Sequence, residues 1–193
     1  AFEDLWPKKG DYDMNDVVVD YNVQFVTDVA NNVDQLRIKL LVQALGGSLK
    51  NGFGIELNCL PTDIASVTGA QLNRSIITTS ANGTEAGQTN AVIIAFDDGH
   101  KFVGANGGVF VNTEENGTVI TADTIELVID FANPIPRSQL GFALFNPFIF
   151  INATRGREVH LVNYEPTDLV DLTYFGTEHD DSDPATGRYY QTS

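Results

Sequence analysis

The stretch VVVDYNVQF, residues 17–25, alternates apolar and polar side chains with a period of two. Val17, Val19, Tyr21, Val23 and Phe25 share one face, while Asp20, Asn22 and Gln24 share the other. Successive side chains of a strand point to opposite faces, so this is the pattern of a strand with one face toward a core. LRIKLLV, residues 36–42, repeats it, with Leu36, Ile38, Leu40 and Val42 opposite Arg37, Lys39 and Gln43. Further strands are expected at residues 54–58, 75–79, 91–96, 108–112, 118–122, 124–131, 139–145, 148–152 and 158–162. Between them stand turn pairs: Asn51-Gly52, Asn82-Gly83, Asp98-Gly99, Asn106-Gly107, Asn116-Gly117 and Asn133-Pro134. Only residues 62–72 read as a short helix, opened by Pro61-Thr62-Asp63 and broken at Gly69. The pattern predicts an all-β fold over residues 1–193, an antiparallel β-sandwich of jelly-roll-like type. At least eight strands and at most one or two short helices are expected, in a single domain.

A hydrophobic content of 42% and a charged content of 19% belong to an ordinary globular chain. The net charge of −15 excludes nucleic acid as a natural partner, because no basic stripe is present to displace phosphate counterions. It equally opposes docking on an anionic membrane. No apolar run approaches the length of a membrane span. Cys59 is the single cysteine, so no intrachain disulfide can form, and its setting in GIELNCL predicts a small buried hydrophobe. The chain starts at Ala1 without a signal-like segment and reads as a processed or excised piece.

Acids are concentrated at the two ends. Residues 1–20 hold six and residues 165–183 hold seven, together half of the 26 in the chain. In the first group, Asp11, Asp13 and Asn15 are spaced i, i+2, i+4, with Asp16 adjacent and Asp4 nearby. Carried on as a regular strand, the first three would face the same side as Val17 and Val19, and bare polar groups in a core cost roughly 1–3 kcal/mol each. The chain must therefore bend before Val17. Oxygen ligands gathered by such a bend suit a hard cation, above all Ca²⁺. The string is no EF-hand: Asp16 stands where that loop needs Gly, and Asn22 where it needs Glu. A solvated acidic turn is the competing reading. Asp180, Asp181 and Asp183 offer a second, weaker cation site beside an exposed acidic loop as its alternative.

Trp6 and Tyr12 lie inside the acidic stretch, where they can pack over it or offer a ligand-binding platform. Glu158 and His160 alternate on one strand, a spacing that fits a structural hydrogen-bonded pair. No nucleophile elbow, zinc-protease helix, phosphate loop or dinucleotide fingerprint occurs, so no catalytic residue is expected. The four Asn-x-Ser/Thr triplets at Asn73, Asn82, Asn116 and Asn152 are read as turn chemistry.

The ordered strings Phe2-Glu3-Asp4-Leu5-Trp6-Pro7 and Gly10-Asp11-Tyr12-Asp13-Met14-Asn15-Asp16-Val17-Val18 resemble the opening of the LruC domain family. Asn146-Pro147-Phe148-Ile149, Gly156-Arg157-Glu158-Val159-His160-Leu161, Pro166-Thr167 and Tyr189-Tyr190-Gln191-Thr192 resemble its later blocks. The resemblance implies an exported protein of a Gram-negative bacterium, at the cell surface, outer membrane or periplasm and in many members a lipoprotein, with no settled activity. It also implies a further Leu-Pro-Trp block beyond residue 192, and hence a domain truncated at its C-terminus.

These readings favour a non-catalytic, Ca²⁺-stabilised binding or adhesion module for a protein or glycan ligand. A carbohydrate-binding module with exposed Trp6, Tyr12, Tyr189 and Tyr190 is the alternative, followed by a glycan-acting enzyme built on a carboxylate pair.

Overall fold

A computed structural model describes residues 1–104, 109–117, 119–141 and 145–191. The expected strands at 108–112, 118–122 and 139–145, the Asn106-Gly107 turn and the end of the 189–192 block lie partly or wholly outside those residues. Among the described residues, eight strands form two four-stranded antiparallel sheets. The first sheet has the order β1-β2-β6-β4, made of Val18–Thr27, Asn32–Ala44, Ile125–Pro136 and Ile64–Thr68. The second has the order β5-β3-β7-β8, made of Ala91–Phe96, Gly52–Leu57, Phe145–Phe150 and Glu158–His160. The described residues also hold one short α-helix, α1 (Gly99–Val103), and four 3₁₀ turns. The all-β sandwich expected from the alternation is the fold.

The two sheets enclose one main core. Leu36, Ile38, Leu40, Val42, Leu127 and Ile129 meet Phe53, Ile55, Leu57, Ile93 and Ile149. The inward face of β2 is the one read from the sequence. Against β1, Gln35 pairs with Val26 but Val33 pairs with Thr27, so Asp34 is one extra residue in β2 and Val33 turns inward as well despite its opposite parity. The strand β1 departs from expectation. It is an edge strand, so its apolar face is only half covered, and Tyr21 is 62% exposed with its ring edge-on to Phe145.

β5 is buried on both faces. Ala91, Ile93 and Ala95 join the main core, while Val92 and Ile94 form a second cluster with Phe148 and Phe150. Ile76 and Ile77 pack on that cluster, which explains why the apolar segment expected as a strand at 75–79 is a covering loop instead. The helix expected at 62–72 is also absent. Pro61–Asp63 is a 3₁₀ turn that gives way to β4, whose β-branched Ile64, Val67 and Thr68 favour extended backbone. Asn82 fixes this corner, donating from Nδ2 to the Pro61 and Ile64 carbonyls at 2.8 and 2.9 Å, so that triplet serves turn chemistry. Cys59 is buried and free, and burial together with the Asp63 charge pushes its thiol up to about 12.

Candidate metal centre

The acidic loop is closed at its base. The Phe2 N–H donates to the Val17 carbonyl at 3.0 Å, and the Val17 N–H donates back to Phe2 at 3.2 Å. Both side chains are buried in the main core, so residues 3–16 are held as a loop. Tyr12 and Met14 both take a φ of +57°, a left-handed conformation that costs a side-chain-bearing residue roughly 1–2 kcal/mol. The bend demanded by parity before Val17 is present.

This path brings Glu3, Asp11 and Asp13 together, with one carboxylate oxygen of each within 4.8 Å of the others. Two Ca–O bonds of about 2.4 Å laid end to end span that distance, so one ion can bridge any two of these oxygens. Glu3 Oε1 accepts from the Met14 N–H at 2.5 Å, whereas Oε2 is buried with no hydrogen-bond partner. Burial pushes the Glu3 carboxyl above its ordinary value, and the charges of Asp11 and Asp13 push it further. An acceptor oxygen of this kind lacks a positive partner, and the all-oxygen donor set fits a hard cation. A Cβ added at Gly10 would come within 2.7 Å of that oxygen, so glycine leaves the room it occupies.

The residues expected as ligands divide into two groups. Asp13 stays beside Asp11 and accepts from the side chain and the backbone N–H of Asn15. Asp4 does not join them. It is buried, accepts from Asn51 Nδ2 at 2.7 Å and donates its N–H to Asp16 Oδ2 at 2.8 Å, so it braces the loop from beneath. Asp16 is pushed up to about 6, by burial first and then by the charges of Asp4, Glu3 and Asp11. Asp4 and Asp16 both border Gly47, where a Cβ would lie 3.1 and 3.4 Å from their oxygens, and Asn15 Oδ1 occupies the space of a Cβ at Gly46. A concavity of about 250 Å³ lined by Asp11, Asp13, Asn15, Asp16 and Glu114 opens beside this turn. Glu3 is the ligand candidate that sequence spacing missed. Its signal was its place in the acidic stretch, but only the Phe2–Val17 closure carries it to Asp11.

The C-terminal acids do other work. Asp180 is buried and accepts from the Gly176 N–H at 2.9 Å and the Ser182 hydroxyl at 2.6 Å. Asp183 closes a 3₁₀ turn through backbone bonds with Arg188, and Asp181 is exposed. Among the described residues these three form no close group of ligand oxygens. The two chain ends meet through aromatic packing instead. Trp6 lies against Phe175 at 5.0 Å and Tyr190 at 5.3 Å between ring centres, Arg157 donates to the Trp6 carbonyl, and the His179 N–H donates to Pro7.

Trp6 and Tyr190 are 6% and 4% exposed, so they cannot act as an open stacking platform. Tyr189 is half-buried against Phe175, and Tyr12 is exposed.

Glu158 and His160 form the pair expected from their spacing, set in a wider network. His160 Nε2 lies 2.8 Å from Glu158 Oε2, its Nδ1 lies 2.8 Å from Asn146 Oδ1, and its ring is stacked between Phe148 and Tyr190. Arg155 joins Glu158 to Glu85, gripping the latter with two bonds of 2.6 Å. Thr167 donates to both oxygens of Glu158. Burial alone would raise Glu158, but its bonds to His160 and Arg155 hold it below the usual carboxylate value. Burial holds His160 below its ordinary value, with the Glu158 bond acting against it. With donors on both oxygens, Glu158 serves packing and orientation.

No helix among the described residues is long and apolar enough to cross a membrane. No curated protein matches the chain. Among solved structures, the chain is similar to the crystal structure of a "Putative lipoprotein" from Bacteroides ovatus, with a TM-score of 0.58 and 17% identity. The likeness covers 86% of this chain and 55% of that one, so the chain spans about half the length of its structural relative and shares its fold. Residues 31–193 match the family described as a domain of unknown function, DUF4842, and the chain belongs to that family.

Proposed function

We propose that the chain is a Ca²⁺-stabilised β-sandwich of an exported bacterial protein, serving as a non-catalytic binding or adhesion module at the cell surface. The observation that carries the calcium reading is the Glu3, Asp11 and Asp13 cluster, with its buried, unpartnered Glu3 oxygen. A cation there would cancel the mutual repulsion of three acids and fix the loop against the sandwich, while Asp16 and Asn15 lie within reach of the same turn. The location draws on the LruC-like strings and on the name of the Bacteroides ovatus relative. The acidic loop precedes the residues matched by the family, so the calcium reading stands on this chain's own geometry.

Calorimetric titration of Ca²⁺ into chelator-stripped protein tests the reading. One bound ion per chain is expected, with the heat lost in Asp11→Asn and Asp13→Asn. Elemental analysis of the untreated protein guards against an ion too tight to strip. Absence of both heat and bound metal would reduce the loop to a solvated turn.

A further inference from the structure

The four outer strands of the two sheets are not equally protected. On β4 the Val67 N–H donates to the Asn82 carbonyl at 2.7 Å. On β5 the Val92 carbonyl accepts from Glu85 and the Ala95 carbonyl accepts from Gln71, both at 2.7 Å. β8 is only three residues long. β1 has ten residues, contains neither Pro nor Lys, and lies at the end of its sheet. A long edge without such guards is a template for pairing with another chain. The first bonds of the strand show which backbone groups point outward. Val17 exchanges both backbone hydrogen bonds with Phe2, whereas the Asp16 carbonyl accepts from Gly46 on the β2 side. Alternation therefore aims the N–H and C=O groups of Val19, Tyr21, Val23, Phe25 and Thr27 away from β2. Among the described residues, β2 is the only backbone partner of residues 19–27.

We propose that β1 pairs antiparallel with β1 of a second copy of this chain, about a two-fold axis at Val23, joining two four-stranded sheets into one. Outward groups recur at every second residue, so a symmetric pairing must be centred on a residue and not between two. The side chains choose the centre. At Val23, Tyr21 faces Phe25 of the second copy, Asn22 faces Gln24, and Asp20 faces Val26. Aromatic pairs across strands are favourable, and no acid stands opposite another. A centre at Asn22 would set Thr27 against Val17, whose outward bonds Phe2 already holds. A centre at Gln24 would set Asp20 against Asp28, and like charges directly opposite are destabilising. Residues 21–27 carry no charge, so the middle of the edge lets two copies of a −15 chain approach without adding an acid pair. Pairing would also cover apolar surface at Tyr21 and Val26, both exposed. Neither a cation nor a ligand is needed for it.

Sedimentation equilibrium in chelator, which keeps the acidic loop out of the result, tests the pairing at chain concentrations up to about 1 mM. The weight-average mass should climb toward twice the monomer value. The dissociation constant should fall about threefold between about 0.05 M and about 0.5 M salt, because salt screens the repulsion between two acidic copies. Val23→Pro removes the central outward N–H at an edge position where Pro is tolerated, and should weaken the dimer about tenfold with circular dichroism unchanged. Cysteines read the register without disturbing the core, because Asn22 and Gln24 are exposed and Cys59 is buried. The two positions face each other in a non-hydrogen-bonded pair, where Cα atoms lie about 4.5 Å apart and a disulfide can close. A mixture of Asn22→Cys and Gln24→Cys proteins should form disulfide dimer about fivefold faster than either variant alone. A chain that stays monomeric at every concentration, a dimer untouched by Val23→Pro, or a mixture no faster than the single variants would overturn the proposal.

Discussion

Two groups of charge in this molecule have opposite balance. Around Glu85, Arg155, Glu158 and His160, each carboxylate oxygen has a donor on the protein, and the arginine bridges two acids. Around Glu3, Asp11 and Asp13, three acids converge with a buried oxygen left unpaired. The first group is deeply buried, yet internal pairing makes it self-sufficient. The second sits at the surface, in a loop closed at its base by the two Phe2–Val17 backbone bonds. Burial alone therefore does not distinguish a structural cluster from a ligand site. Completeness of pairing is what separates these two clusters.

The contrast is tested first by deleting the hub of the satisfied cluster. Arg155→Ala strips the partner from two buried carboxylates and should cost about 3–5 kcal/mol in urea unfolding, the usual cost of breaking a buried ion pair. A loss under 1 kcal/mol would mean that water takes over and the cluster is not self-contained.

The next test is pH. The folded-state value of His160 lies below the ordinary value of about 6.5, so the unfolded chain takes up that proton first and stability falls as pH drops below about 6.5. Glu158 is depressed, so its contribution is present above its unfolded value and is lost as pH falls through its folded one. Urea unfolding at pH 7.5, 6.5 and 5.5 should show declining stability in the wild type and a flatter profile in His160→Gln. Parallel profiles would remove His160 from the account.

The smallest effect belongs to the unsatisfied cluster without cation. In chelator, Asp13→Asn removes one repelling charge at an exposed site and should change stability by less than about 1 kcal/mol, in the stabilising direction. Clear destabilisation would show that the acids support the fold by themselves.

Much of the sandwich was legible in residue order because its signals are local. The face of β2 and the whole of β5 follow from apolar alternation and an apolar run. The shift at Val33, the half-covered β1 and the strand at Ile64–Thr68 were not, because they depend on which neighbours the chain meets. Pro61-Thr62-Asp63 is a sound helix start, yet the β-branched residues that follow, with β6 alongside, draw the chain into a strand. The candidate site divides in the same way. Asp11 and Asp13 could be read from their spacing, whereas Glu3 joins them through an antiparallel bridge and Asp4 leaves them for Asn51. Arg155 and Glu85, 70 residues apart, carry no sequence signal of their pairing.

If the acidic loop is incomplete without a cation, thermal unfolding of one preparation, split between EDTA and excess Ca²⁺, will show it. Binding to the folded state alone stabilises by about 2.7 kcal/mol at a hundredfold excess over Kd. At about 2–4 °C per kcal/mol for a chain of this size, Tm should rise by roughly 5–10 °C. Mg²⁺, which holds its waters more tightly, should give a smaller rise, and Asp13→Asn should give none with either ion. Superimposable melts in EDTA and Ca²⁺, from protein that elemental analysis shows to be metal-free in EDTA, would contradict it.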